Sequence, residues 1–459
     1  MKDAPLKSTR RGFLKATALG ASLPVIADGS EGPGFTHVPG SKSSGAARLA
    51  GTMSAPAGKT EQTLDRAGLN GALAAACAWI TDVAQMKTDM LSGEQNTHKL
   101  EHQHWRGALR GEYRASTHQW DFFCPVWHTG QAIKSLVWAA QAFDRPGLLD
   151  AARLGADFIG TARIADQSSP HYGLILGFED FGDKSSTSAV LEALDGLWVL
   201  ADATGDARYA EWANAAALWE ARNSYLGEGL FRDQFNVKSW SYMPPSASAK
   251  KPGRPLNDDA IFLKAAARTG DPKLRAIFYE VAERLLRDED PPGNWINYGP
   301  CNAATGMIHP RQAYWWGRPM IDAFRDSHDP RYLACARRAG EWYQSAMRLD
   351  GGLFRGTRRD FRTDSFSHAT SGVACAVLLW EELWKETHED TWLGSIRTGL
   401  DFCRMMQLRN VSDPNLKGAV IEGVEAPDGT DASPYYVRDL AAIFFVQAAA
   451  RLAIDKVPA

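Results

Sequence analysis

The sequence predicts an all-α protein whose twelve helices form two concentric rings of six, an (α/α)6 toroid. Three observations predict this fold: a repeated helix–turn–helix pattern, an alternation of strongly apolar helices with amphipathic ones, and connections that are alternately short and long. The alternative for such a repeat is an open α-solenoid, which the unequal helix lengths and repeat spacings disfavour.

The repeat is marked by short helix–helix connections that resemble one another. Gly can end one helix in the left-handed conformation, Asp can cap the next helix, and Pro fits the first turn of that helix. The five connections are Phe143-Asp144-Arg145-Pro146, Thr204-Gly205-Asp206, Thr269-Gly270-Asp271-Pro272, His328-Asp329-Pro330 and His388-Glu389-Asp390.

Each connection separates two kinds of helix. The helices before them are apolar on nearly every side, as an inner ring requires, and are predicted at 128–143, 187–204, 258–269, 313–327 and 367–387. The amphipathic helices after them are predicted at 147–163, 206–225, 272–288, 330–348 and 391–408. A helix near 62–91 and an apolar helix at 435–453 would pair as the sixth hairpin.

The long connections all precede inner helices, so they lie at one end of the ring, which we call the mouth. They span 92–127, 164–186, 226–257, 289–312, 349–366 and 409–434. Long loops on a rigid scaffold usually carry function. The inner-helix N-termini at this end favour anionic ligand groups.

The N-terminus is typical of an export signal. Ser8-Thr9-Arg10-Arg11-Gly12-Phe13-Leu14-Lys15 precedes a short apolar run from Ala16 to Ala27, as in bacterial twin-arginine signals. We therefore expect residues 1–27 to be removed and the protein to be periplasmic or secreted, unless the arginine pair is a coincidence. Residues 28–60 are predicted to be a disordered linker, and 61–459 the folded domain.

Composition excludes several classes of protein. A net charge of −3 and a pI of about 6.4 do not indicate a nucleic-acid partner. The six cysteines form no CxxC pair and no His cluster has zinc spacing, so we expect no metal, no other cofactor and no disulfide framework. No membrane association is expected once the signal is removed, and the oligomeric state is left open.

Aromatic and basic residues gather in the mouth loops and first inner turns. Flat aromatic faces suit pyranose rings, and Arg binds carboxylates bidentately. The alternatives are an aromatic plug over the core and a solvated charged loop. The candidate substrate-binding residues are Trp127, His128, His309, Arg311, Gln312, Trp315, Trp316, Arg318, His368, Tyr435, Tyr436 and Arg438.

Carboxylates occur at the same end, where glycoside chemistry would need them. One carboxylic acid must protonate the leaving group, and usually a carboxylate assists water or the cationic centre. Asp258 and Asp259 begin the third inner helix, where a plain helix cap would need only one of them. They are the candidate acid, and Asp180 or Glu179 is the candidate second carboxylate.

Several segments resemble the six-hairpin glycosidases, particularly unsaturated glucuronyl hydrolases and β-glucuronidase-like relatives. Asn257-Asp258-Asp259-Ala260 through Thr269-Gly270-Asp271-Pro272 is similar to the family segment with the catalytic Asp. Tyr314-Trp315-Trp316-Gly317-Arg318 resembles the aromatic stretch that lines the pocket, Asp364-Ser365-Phe366-Ser367 the DSSA helix, and Asp439 to Phe445 the closing helix. The Asp pair lies about one turn nearer the TGDP turn than in that family, and Gly177-Phe178-Glu179-Asp180-Phe181 only partly matches the HDLGF motif.

The resemblance implies a glycoside hydrolase that removes a glucuronyl or unsaturated glucuronyl residue from oligosaccharides. A polysaccharide lyase with Tyr436 or His309 as base is the first alternative. A non-catalytic periplasmic glycan-binding protein or an epimerase-like protein is the second.

Overall fold

The computed structural model describes residues 65–97, 99–100, 102–178, 182–244, 251–363, 369–424 and 435–458. The predicted signal and linker lie outside this range, as do three candidate site residues, Glu179, Asp180 and His368. Tyr435 and Tyr436 are described by their backbone alone.

The described part of the chain contains twelve α-helices, as predicted. They are α1 Arg66–Ala78, α2 Pro125–Phe143, α3 Gly147–Thr161, α4 Thr187–Thr204, α5 Ala207–Asn223, α6 Ile261–Thr269, α7 Pro272–Asp288, α8 Gln312–Ser327, α9 Pro330–Ala346, α10 Thr370–Thr387, α11 Asp390–Met405 and α12 Asp439–Ile454. A π-helical turn, Trp79–Ala84, extends α1, and a 3-10 turn, Asp258–Ala260, precedes α6.

Contacts between helices close the ring. Around the inside, α2 packs on α4, α4 on α6, α8 on α10 and α10 on α12, while the 3-10 turn before α6 packs on α8. Helix α12 then returns to pack against α2, which an open solenoid would not allow. The outer helices α3, α5, α7, α9 and α11 each pack on the inner helix before them, and α1 packs on α12. The predicted (α/α)6 toroid is therefore confirmed.

The short connections have the predicted capping chemistry. Gly205 and Gly270 end inner helices with φ of 71° and 72°, a left-handed conformation that glycine adopts without a Cβ clash. The Asp271 side chain accepts a hydrogen bond from the Lys273 amide at 2.9 Å, and Asp329 accepts one from the Arg331 amide at 2.9 Å. These caps turn the chain sharply between the two rings.

Short strands stiffen the mouth loops, a feature that the sequence analysis did not predict because segments of two to four residues show no clear alternation. They are β1 Gly111–Arg114, β2 Gln119–Phe122, β3 Lys184–Ser186, β4 Tyr225–Gly227, β5 Leu230–Phe231, β6 Gln234–Asn236, β7 Ser241–Tyr242, β8 Met307–Ile308, β9 Thr357–Arg358, β10 Gly423–Val424 and β11 Tyr435–Arg438. The sheets are ordered β10-β11-β1-β2, β3-β6-β7, β4-β5 and β8-β9, all with antiparallel pairs.

Two predicted helix boundaries were wrong. The first helix was predicted to reach residue 91, but helical structure ends at Ala84, where the chain enters the mouth loops. The last helix was predicted from residue 435, but 435–438 form β11, which pairs with β1. At the first boundary the chain leaves the helix into a loop in which Gln85 forms a single β-bridge with Leu109, and at the second the pairing of β11 with β1 replaces a helical turn. The segment Arg66–Ala84 reaches the length and mean hydropathy, 1.2, of a membrane span, yet 44% of it is buried within the barrel.

Candidate active site

An arginine in contact with two tryptophans occupies the mouth. The Arg311 guanidinium, at the start of α8, lies 5.5 Å from the Trp127 ring centroid and 5.1 Å from that of Trp315. The two indole rings are 6.5 Å apart. Helices α2 and α8 thus bring an aromatic wall and a cation to one place, with each indole attracting the guanidinium through its π face.

His309 extends this wall. Its imidazole stacks on the Trp315 indole, with centroids 5.0 Å apart and planes within 8° of parallel. The ring retains some accessible surface but is densely surrounded. Burial, followed by the positive charges of Arg311, Arg355, Arg438 and Arg254, holds the pKa of His309 well below its usual value. The imidazole is therefore neutral at neutral pH, in a region where the charge is predominantly positive.

A buried glutamate fixes two of these arginines. Glu422, which is only 1% exposed, accepts hydrogen bonds from the Ser371 amide at 2.8 Å and hydroxyl at 2.6 Å, at the start of α10. Its carboxylate also lies 3.5 Å from Arg311 Nη1 and 3.6 Å from Arg355 Nη1. Arg355 keeps 31% of its side chain exposed, so it can also contact a ligand.

The four-stranded sheet β10-β11-β1-β2 positions a further arginine of the site, Arg438. Arg438 lies directly opposite Glu112 across the β1–β11 pair, and its Nε donates to the Glu112 carboxylate at 2.7 Å. Its guanidinium covers the Phe123 ring at 4.4 Å. One residue later, Asp439 Oδ1 lies 2.6 Å from His128 Nδ1, and neither side chain is exposed.

The two adjacent aspartates have different environments. Asp259 and Ala260 both have left-handed backbones, with φ of 51° and 53°, so the chain kinks between the 3-10 turn and α6. The Asp259 carboxylate accepts hydrogen bonds inside the barrel from Lys134 Nζ at 2.7 Å and Gln131 Nε2 at 3.3 Å. Asp258 makes no such interior ion pair among the described contacts. Asp259 is therefore held as an ion-pair partner.

Asp258 has the electrostatic character of an acid. It is 5% exposed, and burial raises the pKa of its carboxyl to about 7, with smaller upward contributions from Asp259 and Asp233. Arg254 opposes this shift, and its own Nη1 bonds Asp233 at 2.6 Å. A carboxyl with such a pKa is substantially protonated at neutral pH and can deliver a proton.

Two candidate binding residues lie apart from this group. Arg318 pairs with Asp322 one turn further along α8, at 2.8 Å. Burial lowers the pKa of Arg318, but the charges of Asp322 and then Glu382 outweigh it and raise that pKa, so its charge is compensated within the protein. Trp316 is buried against Trp295 and Tyr298, with centroids 5.8 and 5.6 Å away, and therefore forms part of the packed wall.

Several buried polar atoms at the inner-helix N-termini have no hydrogen-bond partner within the described part of the chain. Buried polar groups are normally paired, so each needs an explanation. A hydroxyl-rich ligand and its water would supply both donors and acceptors. The atoms are Trp127 Nε1, His128 Nε2, Trp315 Nε1 and both amide atoms of Asn257 and Gln312.

The structure thus brings together the described candidates Trp127, His128, His309, Arg311, Gln312, Trp315 and Arg438. Asp258 is linked to this group through Arg254, whose charge acts on both Asp258 and His309. The sequence did not identify three further residues of the site, Arg254, Asp233 and Glu112. Arg254 and Asp233 shift the pKa of Asp258, and Glu112 accepts a hydrogen bond from Arg438. Arg254 and Asp233 had one available signal, since both fall in the loop that ends at Asp258. Glu112 had none, because only the β1–β11 pairing places it beside Arg438.

The chain is similar in fold to several solved structures of carbohydrate-processing enzymes. An unsaturated glucuronyl hydrolase specific for heparin is 12% identical, with a TM-score of 0.61 over 85% of this chain and 99% of that chain. An unsaturated glucuronyl hydrolase from Bacillus sp. GL1, responsible for glycosaminoglycan degradation, is 13% identical, with a TM-score of 0.60 over 84% and 96%. A D-mannose isomerase is also 13% identical, with a TM-score of 0.61 over 88% and 100%.

The chain is an (α/α)6-barrel protein, and its resemblance in fold to the six-hairpin glycosidases is confirmed. No family model matches the sequence, and no curated protein is significantly similar to it. At such low identities the likeness shows the fold alone.

Proposed function

We propose that the protein is a glycoside hydrolase that removes a uronic-acid residue from an oligosaccharide, with Asp258 as the general acid. The observation that carries the proposal is the Asp258 carboxyl, buried at the mouth with its pKa raised to about 7. The similar structures, which include glycan hydrolases and sugar isomerases, support a carbohydrate substrate.

The charge of the mouth supports an anionic sugar. The positive charges of Arg311, Arg355, Arg438 and Arg254 all act on His309, and Arg311 and Arg355 both lie within 3.6 Å of Glu422. A substrate carboxylate beside them would receive charge-assisted hydrogen bonds. Trp127 and Trp315 would bind the apolar face of the same pyranose.

In the proposed reaction, Asp258 donates its proton to the substrate and a water molecule adds. With a saturated uronide, the proton goes to the glycosidic oxygen as its bond to the anomeric carbon breaks, and water supplies the new hydroxyl. With an unsaturated uronide, the proton adds to C4, and water adds to C5 while losing a proton to a carboxylate. The hemiketal formed at C5 opens, and the hemiacetal left at C1 then releases the rest of the oligosaccharide. Asp180 and Glu179 remain candidates for the second carboxylate, and they lie outside the described residues.

Ultraviolet absorbance of the unsaturated uronide distinguishes these reactions from elimination. A hydrolase acting on an unsaturated uronide should consume the absorbance, and one acting on a saturated uronide should leave it unchanged. Appearance of the absorbance from a polymer would identify a lyase and contradict the proposal.

Arg355→Met should weaken binding of uronides specifically. Loss of a charge-assisted hydrogen bond costs about 1.5–3 kcal/mol, so KM for p-nitrophenyl glucuronide should rise roughly 10- to 100-fold. KM for the neutral p-nitrophenyl glucoside, if it is turned over, should change far less. Arg359→Met is the matched control, because Arg359 lies on the same loop but pairs with Asp290. Equal effects of the two substitutions would argue against a carboxylate site at Arg355.

A sugar isomerase or epimerase is the second candidate function. The neutral His309 imidazole in an aromatic pocket is suited to moving a proton at a sugar carbon, and the similar D-mannose isomerase makes this worth testing. Conversion of a free sugar into an isomer by wild-type protein, lost in His309→Gln, would favour it. Isomers that form equally with both proteins would exclude His309 as the base.

We also propose export through the twin-arginine route. Replacing Arg10 and Arg11 with lysines should retain the protein in the cytoplasm, as measured by fractionation of the producing bacterium. Unchanged export of this variant would contradict the proposal.

A further inference from the structure

The tip of the β6–β7 hairpin carries an exposed tryptophan in an unusual backbone conformation. Trp240 is 43% exposed and has a φ of 52°. A bulky residue at positive φ is a conformational outlier, and glycine would occupy this position with less strain. A single exposed aromatic residue is common on protein surfaces. An exposed aromatic residue kept at a positive φ, which its side chain disfavours, requires an explanation.

The structure beneath this indole fixes its orientation. The Trp240 ring stacks on the His171 imidazole, with centroids 4.7 Å apart and planes 28° from parallel. Phe235 meets both rings edge-on and packs in turn against the buried Trp219. The side chain is therefore supported by a small aromatic core, so its surface is pre-organised.

The hairpin tip also carries polar groups that could hydrogen-bond to sugar hydroxyls. Asn236 Oδ1 accepts hydrogen bonds from the amides of Lys238 and Ser239 at 2.9 and 3.0 Å, which fixes the turn. The hydroxyls of Ser239 and Ser241 lie 2.9 Å apart on either side of Trp240, and Lys238 is exposed. The tip therefore combines an exposed indole with hydroxyl groups on the residues before and after it, which offer apolar and polar contacts to a pyranose ring.

The hairpin lies at the mouth end of the barrel. Strand β3 pairs with β6, with Ser185 opposite Phe235, and β3 leads directly into inner helix α4. His171 belongs to the loop before the same helix. A glycan whose terminal residue entered the mouth would leave it at this end.

We propose that Trp240, backed by His171, is a binding platform for a hexopyranose unit of the glycan chain, remote from the residue that is cleaved. The proposal rests on the proposed function for the nature of that chain. It deepens that function, because it makes the substrate a glycan of several sugars and not a disaccharide alone.

Affinity electrophoresis tests the platform without requiring catalysis. Wild-type protein and Trp240→Gly are run in gels containing heparin, hyaluronan or the neutral polymer glucomannan. We expect at least one polymer to retard the wild type, and Trp240→Gly to bind it about three- to tenfold more weakly, as for loss of one aromatic contact. Because glycine relieves the backbone strain, the variant should melt at the same or a higher temperature.

Phe361→Gly is the matched control. Phe361 is 41% exposed with a φ of 61° on another mouth loop, but lies 6.5 Å from its ring neighbour, Trp342, at a tilt. Its retardation should equal that of the wild type. Equal retardation of wild type and Trp240→Gly, or no retardation of the wild type in any gel, would overturn the platform. Hydrolysis of a uronyl disaccharide by the wild-type protein tests the proposed function separately. If the wild type is retarded in a way that depends on Trp240 but hydrolyses no uronide, the proposed function is wrong and the binding platform is retained.

Discussion

Asp258→Asn is expected to lower kcat by roughly 10²- to 10⁴-fold on a uronyl disaccharide, the usual contribution of a positioned general acid. Asparagine preserves the size of the side chain and removes its proton. In the wild type, the rate should fall as pH rises through about 7, because the carboxyl must be protonated to act and burial raises its pKa to about 7. The residual activity of the variant should lack this alkaline decline. Rates across pH 5–9 provide the measurement.

Two neighbouring substitutions should move the decline in opposite directions. Asp233 raises the pKa of Asp258 and Arg254 lowers it. Asp233→Asn should therefore shift the alkaline decline to lower pH, and Arg254→Met should shift it to higher pH. A decline that stays in place in both variants would show that another group controls the rate.

Lys134→Met is expected to destabilise the fold by about 3–5 kcal/mol, the usual cost of breaking a buried ion pair by removing one partner. The Lys134 ammonium is 1% exposed and lies 2.7 Å from Asp259 and 3.3 Å from Asp195. Asp195 also pairs with Lys264 at 2.7 Å, so Asp259 is the carboxylate that loses its ion-pair partner. Urea unfolding gives the change in the free energy of unfolding.

The same network supplies its own controls. Lys264 is 31% exposed, so Lys264→Met should cost about 1 kcal/mol or less because solvent screens its charge. Adding Asp259→Asn to Lys134→Met should restore part of the lost stability by removing the unpaired charge. If Lys134→Met were as stable as Lys264→Met, Asp259 would not be held in the way described.

The ring architecture was predictable because its signals are local. Caps such as Gly270 and Asp271 act within a few residues of the chain, and the apolar pattern of an inner helix is visible in one window. The closure of α12 against α2 followed from the number of helices. The mouth strands were missed because each depends on a partner far away in sequence, as Glu112 does on Arg438.

The site was predictable in composition but not in geometry. Trp127, Arg311 and Trp315 were found because aromatic and basic residues at inner-helix starts are conspicuous. The different environments of Asp258 and Asp259 were not, since they depend on two successive left-handed residues and on Lys134 from another helix. Charges within inner helices, such as Lys134 and Asp195, were the available signal for that network.

Mass spectrometry of uronyl oligosaccharides incubated with the wild-type protein and with Asp258→Asn decides whether Asp258 drives hydrolytic release of a uronate residue. The proposed hydrolysis predicts that the wild type releases one uronate residue with uptake of one water molecule, and that Asp258→Asn leaves the oligosaccharide largely intact over the same time. Cleavage without water uptake, a rearranged product of unchanged mass, or equal release by both proteins would contradict it.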